Sequence, residues 1–177
     1  MLDNNINLTG GKLFYFLVSV FSLYIIVHSL VAAWLLIDGL TSNFSSIHYL
    51  WGVKNEVGFD DSLALLFFTI IGSVLGGAVL NIISFHKYFS IDNSFDIKHF
   101  WGFFFTPILS IIVGILIFSL VQGGLLILNG SSPEGTLSTN SALGFTAIGS
   151  IAGYNWDVFI KKLQDMSKIL NSQNDPK

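Results

Sequence analysis

Three uninterrupted apolar runs constrain this sequence more than any other feature. Leu13–Ile37, Ser62–Phe85 and Phe100–Leu128 contain no Asp, Glu, Lys or Arg. A helix rises about 1.5 Å per residue and a bilayer's hydrocarbon core is about 30 Å thick, so roughly 20 apolar residues cross it. Each run is long enough. Composition agrees: charged residues are 11% of the chain, against about 25% in an average soluble domain, and mean hydropathy is +0.69. The basic residues are all lysine and the net charge is −3, which is no footprint for double-stranded DNA. Cysteine is absent, removing disulfides, thiolate metal sites and cysteine nucleophiles. The expected fold is all-α, a polytopic membrane protein.

Ser141–Ile160 is a weaker fourth span, holding Thr146, Ser150, Asn155 and Asp157. The chain then divides into a cytoplasmic N-terminus at 1–12, a four-helix transmembrane domain at 13–160, and a cytoplasmic amphipathic helix with a tail at 161–177. The first run reads as a permanent span, because its apolar length exceeds the roughly 7–15 residues of a signal peptide's core. Lysine placement sets orientation. With four spans and the N-terminus inside, Lys12, Lys87, Lys98, Lys161, Lys162, Lys168 and Lys177 lie inside and Lys54 outside. A bacterial inner-membrane protein with both termini cytoplasmic is expected.

Small residues mark where helices meet in lipid, since close backbone approach replaces the hydrophobic drive. The second run carries two overlapping pairs, Gly72/Gly76 and Ser73/Gly77. The third carries Thr106, Ser110 and Gly114, and the first carries Ser19, Ser22 and Ser29. These fit packing within one bundle. The fourth run is too polar and glycine-rich to face acyl chains. It predicts a pore lining or subunit interface at Thr146, Ala147, Gly149, Ser150, Gly153 and Asn155. Beyond it, Trp156, Phe159, Ile160, Leu163, Met166 and Leu170 repeat at helical spacing opposite Asp157, Lys161, Asp165 and Lys168, predicting a continuous amphipathic helix to about Leu170.

Polar side chains within spans are functional candidates: His28, Asn81 and Gln122. The expected use of each is a hydrogen bond between helices. His28, His48, His86 and His99 fall in three layers of this topology, so they do not form one metal site, and neither a metal nor a cofactor is expected. No nucleophile–base pair or phosphate loop is present, so the chain does not read as an enzyme. Trp156, Phe159, Leu163, Lys161, Lys162 and Lys168 are the residues expected to meet a cytoplasmic partner protein or an anionic nucleotide. The remaining expected partners are the lipid bilayer and further copies of the chain.

A stretch of about 100 residues resembles a widespread group of small bacterial four-span integral membrane proteins. The resemblance rests on Gly72, Gly76, Ala78, Ser84-Phe85-x-x-Tyr88, Trp101, Pro107, Gly114, Phe118, Gly123-Gly124-Leu125-Leu126 and 144–153. This chain departs from the group at Thr106 and Gln122, where the group has arginine, so no role of those arginines transfers. The layout is also similar to membrane effectors of anti-phage defence, of the Hailong or cyclic-oligonucleotide signalling type. Two functions follow as expectations. The first is a homo-oligomeric channel or pore-forming effector gated from the cytoplasm. The second is a non-conducting membrane sensor or scaffold that recruits a cytoplasmic partner.

Overall fold

The computed structural model describes residues 4–50, 52, 59–92, 99–124 and 137–172, with side chains from Tyr15 onward except at 99–100, 166–167 and 169–172. Those residues form helices and no strand. In chain order the helices are α1 (Asn4–Ser42), α2 (Ser45–Leu50), α3 (Asp61–His86), α4 (His99–Gln122), α5 (Thr139–Tyr154) and α6 (Trp156–Ser172), with one π-helical turn (Lys87–Ile91) prolonging α3. Three of them, over Tyr15–Ser42, Asp61–Ile91 and Trp101–Gln122, are long and apolar enough to cross a membrane.

α3 lies at the centre. Its buried residues include Ala64, Phe68, Ile71, Gly72, Ser73, Gly77 and Asn81. α1 runs antiparallel to it: Gly39 lies beside Phe68 near the start of α3, and Phe21 meets Phe85 near its end. α4 is also antiparallel, with Gly114 on Ile70 and Ser110 beside Gly77. α5 runs parallel to α3. The exposed faces of α1 and α4 are apolar, as at Leu23, Ile26, Leu30, Ile108, Ile112 and Ile115, which is what lipid contact demands.

Two helix ends differ from the sequence expectation. The third run was expected to continue to Leu128, but α4 stops at Gln122. Gly124 takes φ +70, the left-handed conformation by which glycine closes a helix. Residues 125–128 lie outside the described residues. The expected continuous helix through 155 is broken there. Asn155 has φ −108 and ψ 37, and its backbone N–H still donates to Ile151 O. Its side chain Nδ2 donates to the same carbonyl at 3.1 Å, the local competition that makes Asn a poor residue inside helices. α5 is therefore 16 residues long, about 24 Å, and α6 begins at Trp156 rather than 161. α6 also runs two residues past Leu170, into the expected tail.

The stretch that joins the first two apolar runs, 38 to 61, begins as structure. Asp38 is buried and accepts from Ser42 Oγ at 3.2 Å, Ser45 Oγ at 3.2 Å and Ser46 N–H at 3.1 Å. That clasp holds the α1–α2 corner, where Asn43 and Phe44 take φ 48 and 61. Left-handed geometry at a Phe is costly. Here it drives the ring into a fully buried site against Phe67 and Phe68. A Cβ at Gly39 would strike that ring, so Gly39 and Phe44 require each other.

Candidate functional site

The two small-residue pairs on α3 point to different neighbours. Gly72 and Gly76 face α5: a Cβ at Gly72 would meet Thr146 O, and one at Gly76 would meet Ser150 O. The relation is mutual, since a Cβ at Gly149 would meet Thr69 O and one at Gly153 would meet Ser73 O. Four glycines thus bring two parallel backbones into direct contact. Ser73 and Gly77 face α4. Ser73 Oγ donates to Ser110 O at 2.7 Å, and a Cβ at Gly77 would press on Ser110 Oγ and Thr106 Cγ2. Adjacent ridges of one helix therefore hold two partners.

This interface accounts for much of the polarity of α5. Thr146 is buried, and its Oγ1 donates to Ala142 O at 2.8 Å. Ser150 is half-buried, and its Oγ donates to Thr146 O at 2.9 Å. Both hydroxyls are satisfied by carbonyls of their own helix. Gly149 and Gly153 are buried on α3, whereas Ala147 and Asn155 are exposed. The residues expected at a pore lining or subunit interface thus fall on two faces of α5. The outer face of α5 carries Leu143, Gly144, Ala147 and Ile151, the last 68% exposed. At Gly144 a Cβ would meet nothing within 4 Å among the described residues.

Asn81 has a defined task. Pro107 lies inside α4 and has no N–H to offer the carbonyl four residues before it, that of Phe103. Asn81 Nδ2 donates to Phe103 O at 3.3 Å from α3. One residue on, Phe104 O accepts from Tyr24 Oη of α1 at 3.2 Å. Side chains of two neighbouring helices thus meet the carbonyls at the proline, as a membrane interior requires. Asn81→Leu should cost about 1–2 kcal/mol by removing the donor that α3 offers that carbonyl. In Pro107→Ala the N–H returns, so Asn81→Leu should then cost less than half as much. A double-mutant cycle of unfolding in mixed micelles measures this; equal costs in the two backgrounds would contradict the pairing.

The other polar candidates are dispersed. His28 is half-buried, its Nδ1 lies 2.9 Å from Tyr24 O, and its buried Nε2 meets no hydrogen-bond partner among the described residues. Gln122 is exposed at the end of α4. Ser19, Ser22 and Ser29 donate to carbonyls four residues back, so the serine stripe is satisfied within α1. His48 stacks on Phe59 with centroids 3.9 Å apart. The side chain of His99 lies outside the described residues.

On α6, Trp156 and Phe159 pack against the cluster of Val113, Ile117 and Ala152. Leu163 is half-buried, and Lys161 and Lys162 are exposed. Lys168 pairs with Asp165 at 3.0 Å on the exposed side, where such a pair contributes little.

Sequence reasoning missed two anchors at the opposite end of the bundle. One is the Asp38 clasp. The other is Asp61, whose Oδ2 accepts the Leu137 N–H at 2.9 Å and ties the start of α5 to the start of α3. Beside it, Ser138 and Ser141 form a reciprocal cap on α5. The Ser-x-x-Ser spacing was the available signal for that start, in the pattern of a capping box. Compared with known protein families, with curated proteins and with solved structures, the chain matches none of them.

Proposed function

We propose that the chain is a non-conducting membrane scaffold or sensor, multi-pass in a bacterial inner membrane, that presents α6 to a cytoplasmic partner. In this reading α5 and the first turn of α6 make the fourth span beside α3, as expected for 141–160, and lysine-rich ends face the cytoplasm. The observation that carries it is the engagement of α5: Gly149 and Gly153 meet Thr69 O and Ser73 O, and Thr146 and Ser150 spend their hydroxyls on their own helix. A water-filled lumen needs polar or small hydroxyl groups turned toward it. Apart from Asn140 and Asn155 near its ends, the face of α5 left for an axis holds Leu143, Gly144, Ala147, Ile151 and Tyr154, a surface poor in groups that hold water. The channel and defence-effector readings both require conduction, so the same observation disfavours them.

The polar side of α6, with Lys161 and Lys162 exposed, is the side offered to a partner. Trp156 and Phe159 are engaged with the bundle, which leaves them less for that purpose. The chain has no native cysteine, so single cysteines report cleanly. In sealed proteoliposomes, Thr146→Cys and Ser150→Cys should not react with a membrane-impermeant methanethiosulfonate, and potassium flux should stay at the protein-free level. Reaction at both sites together with flux would establish a conducting path and sink the scaffold reading.

A further inference from the structure

One eleven-residue pattern occurs twice in the chain, once in each of the two parallel helices. Leu66-x-Phe68-Thr69-x-Ile71-Gly72-Ser73-x-x-Gly76 lies in α3, and Leu143-x-Phe145-Thr146-x-Ile148-Gly149-Ser150-x-x-Gly153 lies in α5. Seven of the eleven positions are identical. In each pair that differs, at least one member faces another helix or the surface. Ala152 packs in the cluster of Val113 and Ile117 on α4, and Gly144, Ala147 and Ile151 are exposed.

The two copies touch through equivalent atoms. A Cβ at Gly72 would strike Thr146 O, and one at Gly149 would strike Thr69 O. A Cβ at Gly76 would strike Ser150 O, and one at Gly153 would strike Ser73 O. Exchanging α3 for α5 turns each contact of a pair into the other, so a local twofold runs along the two helices. Their hydroxyls follow it: Thr69 Oγ1 donates to Leu65 O at 2.8 Å, and Thr146 Oγ1 donates to Ala142 O at 2.8 Å. The symmetry ends where α4 packs. Ser73 Oγ donates to Ser110 O of α4, but its counterpart Ser150 turns back to Thr146 O, and the counterpart of Gly77 is Tyr154.

Two surfaces that fit each other and carry the same residues in the same places also fit themselves. Close parallel approach at small residues is a packing by which membrane helices associate, and it sets glycine Cα–H groups against carbonyl oxygens. Copies of one chain insert in one orientation, so the α3 helices of two copies run parallel and can meet about a twofold along the membrane normal. Such a pair sets the second copy's α4 beside Leu75 and Val79, half-buried and exposed in this chain. Within one chain α5 has the advantage. Its tether gives it a high effective concentration, and the bond from Leu137 N–H to Asp61 Oδ2 holds its start.

We propose that the α3–α5 contact is a self-pairing held within one chain, and that the Gly72–Gly76 face of α3 takes the same face of a second copy when α5 is displaced. This goes beyond the proposed function. It needs α5 on α3, but it holds whether or not the bundle conducts and whether or not a partner binds α6. Release of α5 then becomes a route from a single chain to a pair.

The test uses the full chain at low density in vesicles of phosphatidylcholine and phosphatidylglycerol. Photobleaching steps of one fluorophore at each C-terminus count the subunits. Gly149→Ile with Gly153→Ile displaces α5 and leaves α3 unaltered, so the dimer fraction should rise several-fold over that of the unmodified chain. Adding Gly72→Ile and Gly76→Ile should return it to the starting level. No rise in the first variant would overturn the proposal. So would a rise that the α3 isoleucines do not reverse, because that marks association through surfaces bared by unfolding. Disulfide formation reads the register independently. In the α5-displaced background, Thr69→Cys on the shared face should cross-link between chains several times faster than Ile82→Cys on the exposed side of α3. Equal rates would overturn the pairing. Potassium flux through the same vesicles is a separate readout, so a leaky bundle that pairs through α3 would defeat only the non-conducting reading.

Discussion

Gly149→Ile should unfold or splay the bundle, whereas Gly144→Ile, five residues earlier on the same helix, should leave it intact. At 149 any side chain runs into Thr69 O of α3. Backbone cannot yield as a flexible side chain can, so the two helices must part. Parting them also loosens the contacts at Gly72, Gly76 and Gly153, which depend on the same separation. Overpacking a well-filled site typically costs 1–3 kcal/mol, and the rigid neighbour here puts the expected loss at about 3 kcal/mol or more. At 144 an added Cβ meets nothing within 4 Å among the described residues, and the change should stay within about 0.5 kcal/mol apart from a small helix-propensity term. Unfolding by sodium dodecyl sulfate in mixed micelles, followed by circular dichroism, compares the two. Equal losses would show that α5 is not held by α3 in this way.

The second large effect is expected at the opposite end of the bundle. Phe44→Ala removes a fully buried ring from contact with Phe67 and Phe68. It leaves an alanine in a left-handed conformation at φ 61, a geometry the ring's burial had offset. Phe-to-Ala changes in cores cost about 3–5 kcal/mol. The loss should be local: amides of α2 and the last turns of α1 should lose most of their hydrogen-exchange protection while those in the middle of α3 keep theirs. Asp38→Ala should act on the same corner more weakly, by about 1–3 kcal/mol, because it removes the carboxylate that accepts from Ser42 Oγ, Ser45 Oγ and the Ser46 N–H. Uniform deprotection of the whole chain in Phe44→Ala would show that the corner is not a separate unit.

Much of this architecture was legible in the residues. The three long spans follow from length and absence of charge, and the paired ridges Gly72/Gly76 and Ser73/Gly77 marked the crowded faces of α3. What the residues did not disclose was pairing. A Gly-x-x-x-Gly spacing states that a backbone comes close and not whose backbone it is, so Gly149 and Gly153 read equally well as contacts between copies. Pro107 and Asn81 were each visible as oddities, but their connection depends on the register of α4 against α3, a tertiary fact. The break at Asn155 was hidden for another reason. Apolar spacing runs on through it at helical period, and periodicity does not register one residue with non-helical dihedrals. Asp38 looked like the first residue of a loop because a carboxylate at the end of a span is usually solvated. Its burial is explained by the three donors that follow it in sequence.

Central to this molecule is the embrace of α5 by the α3 of its own chain. Asp61→Cys with Leu137→Cys places a thiol pair where the starts of the two helices are tied. Equal amounts of ¹⁴N- and ¹⁵N-labelled double variant, reconstituted together and joined by a short bifunctional thiol reagent, should yield cross-linked peptides that are wholly light or wholly heavy. Mixed light–heavy peptides in statistical proportion would place the contact between subunits and return Gly149 and Gly153 to an assembly interface.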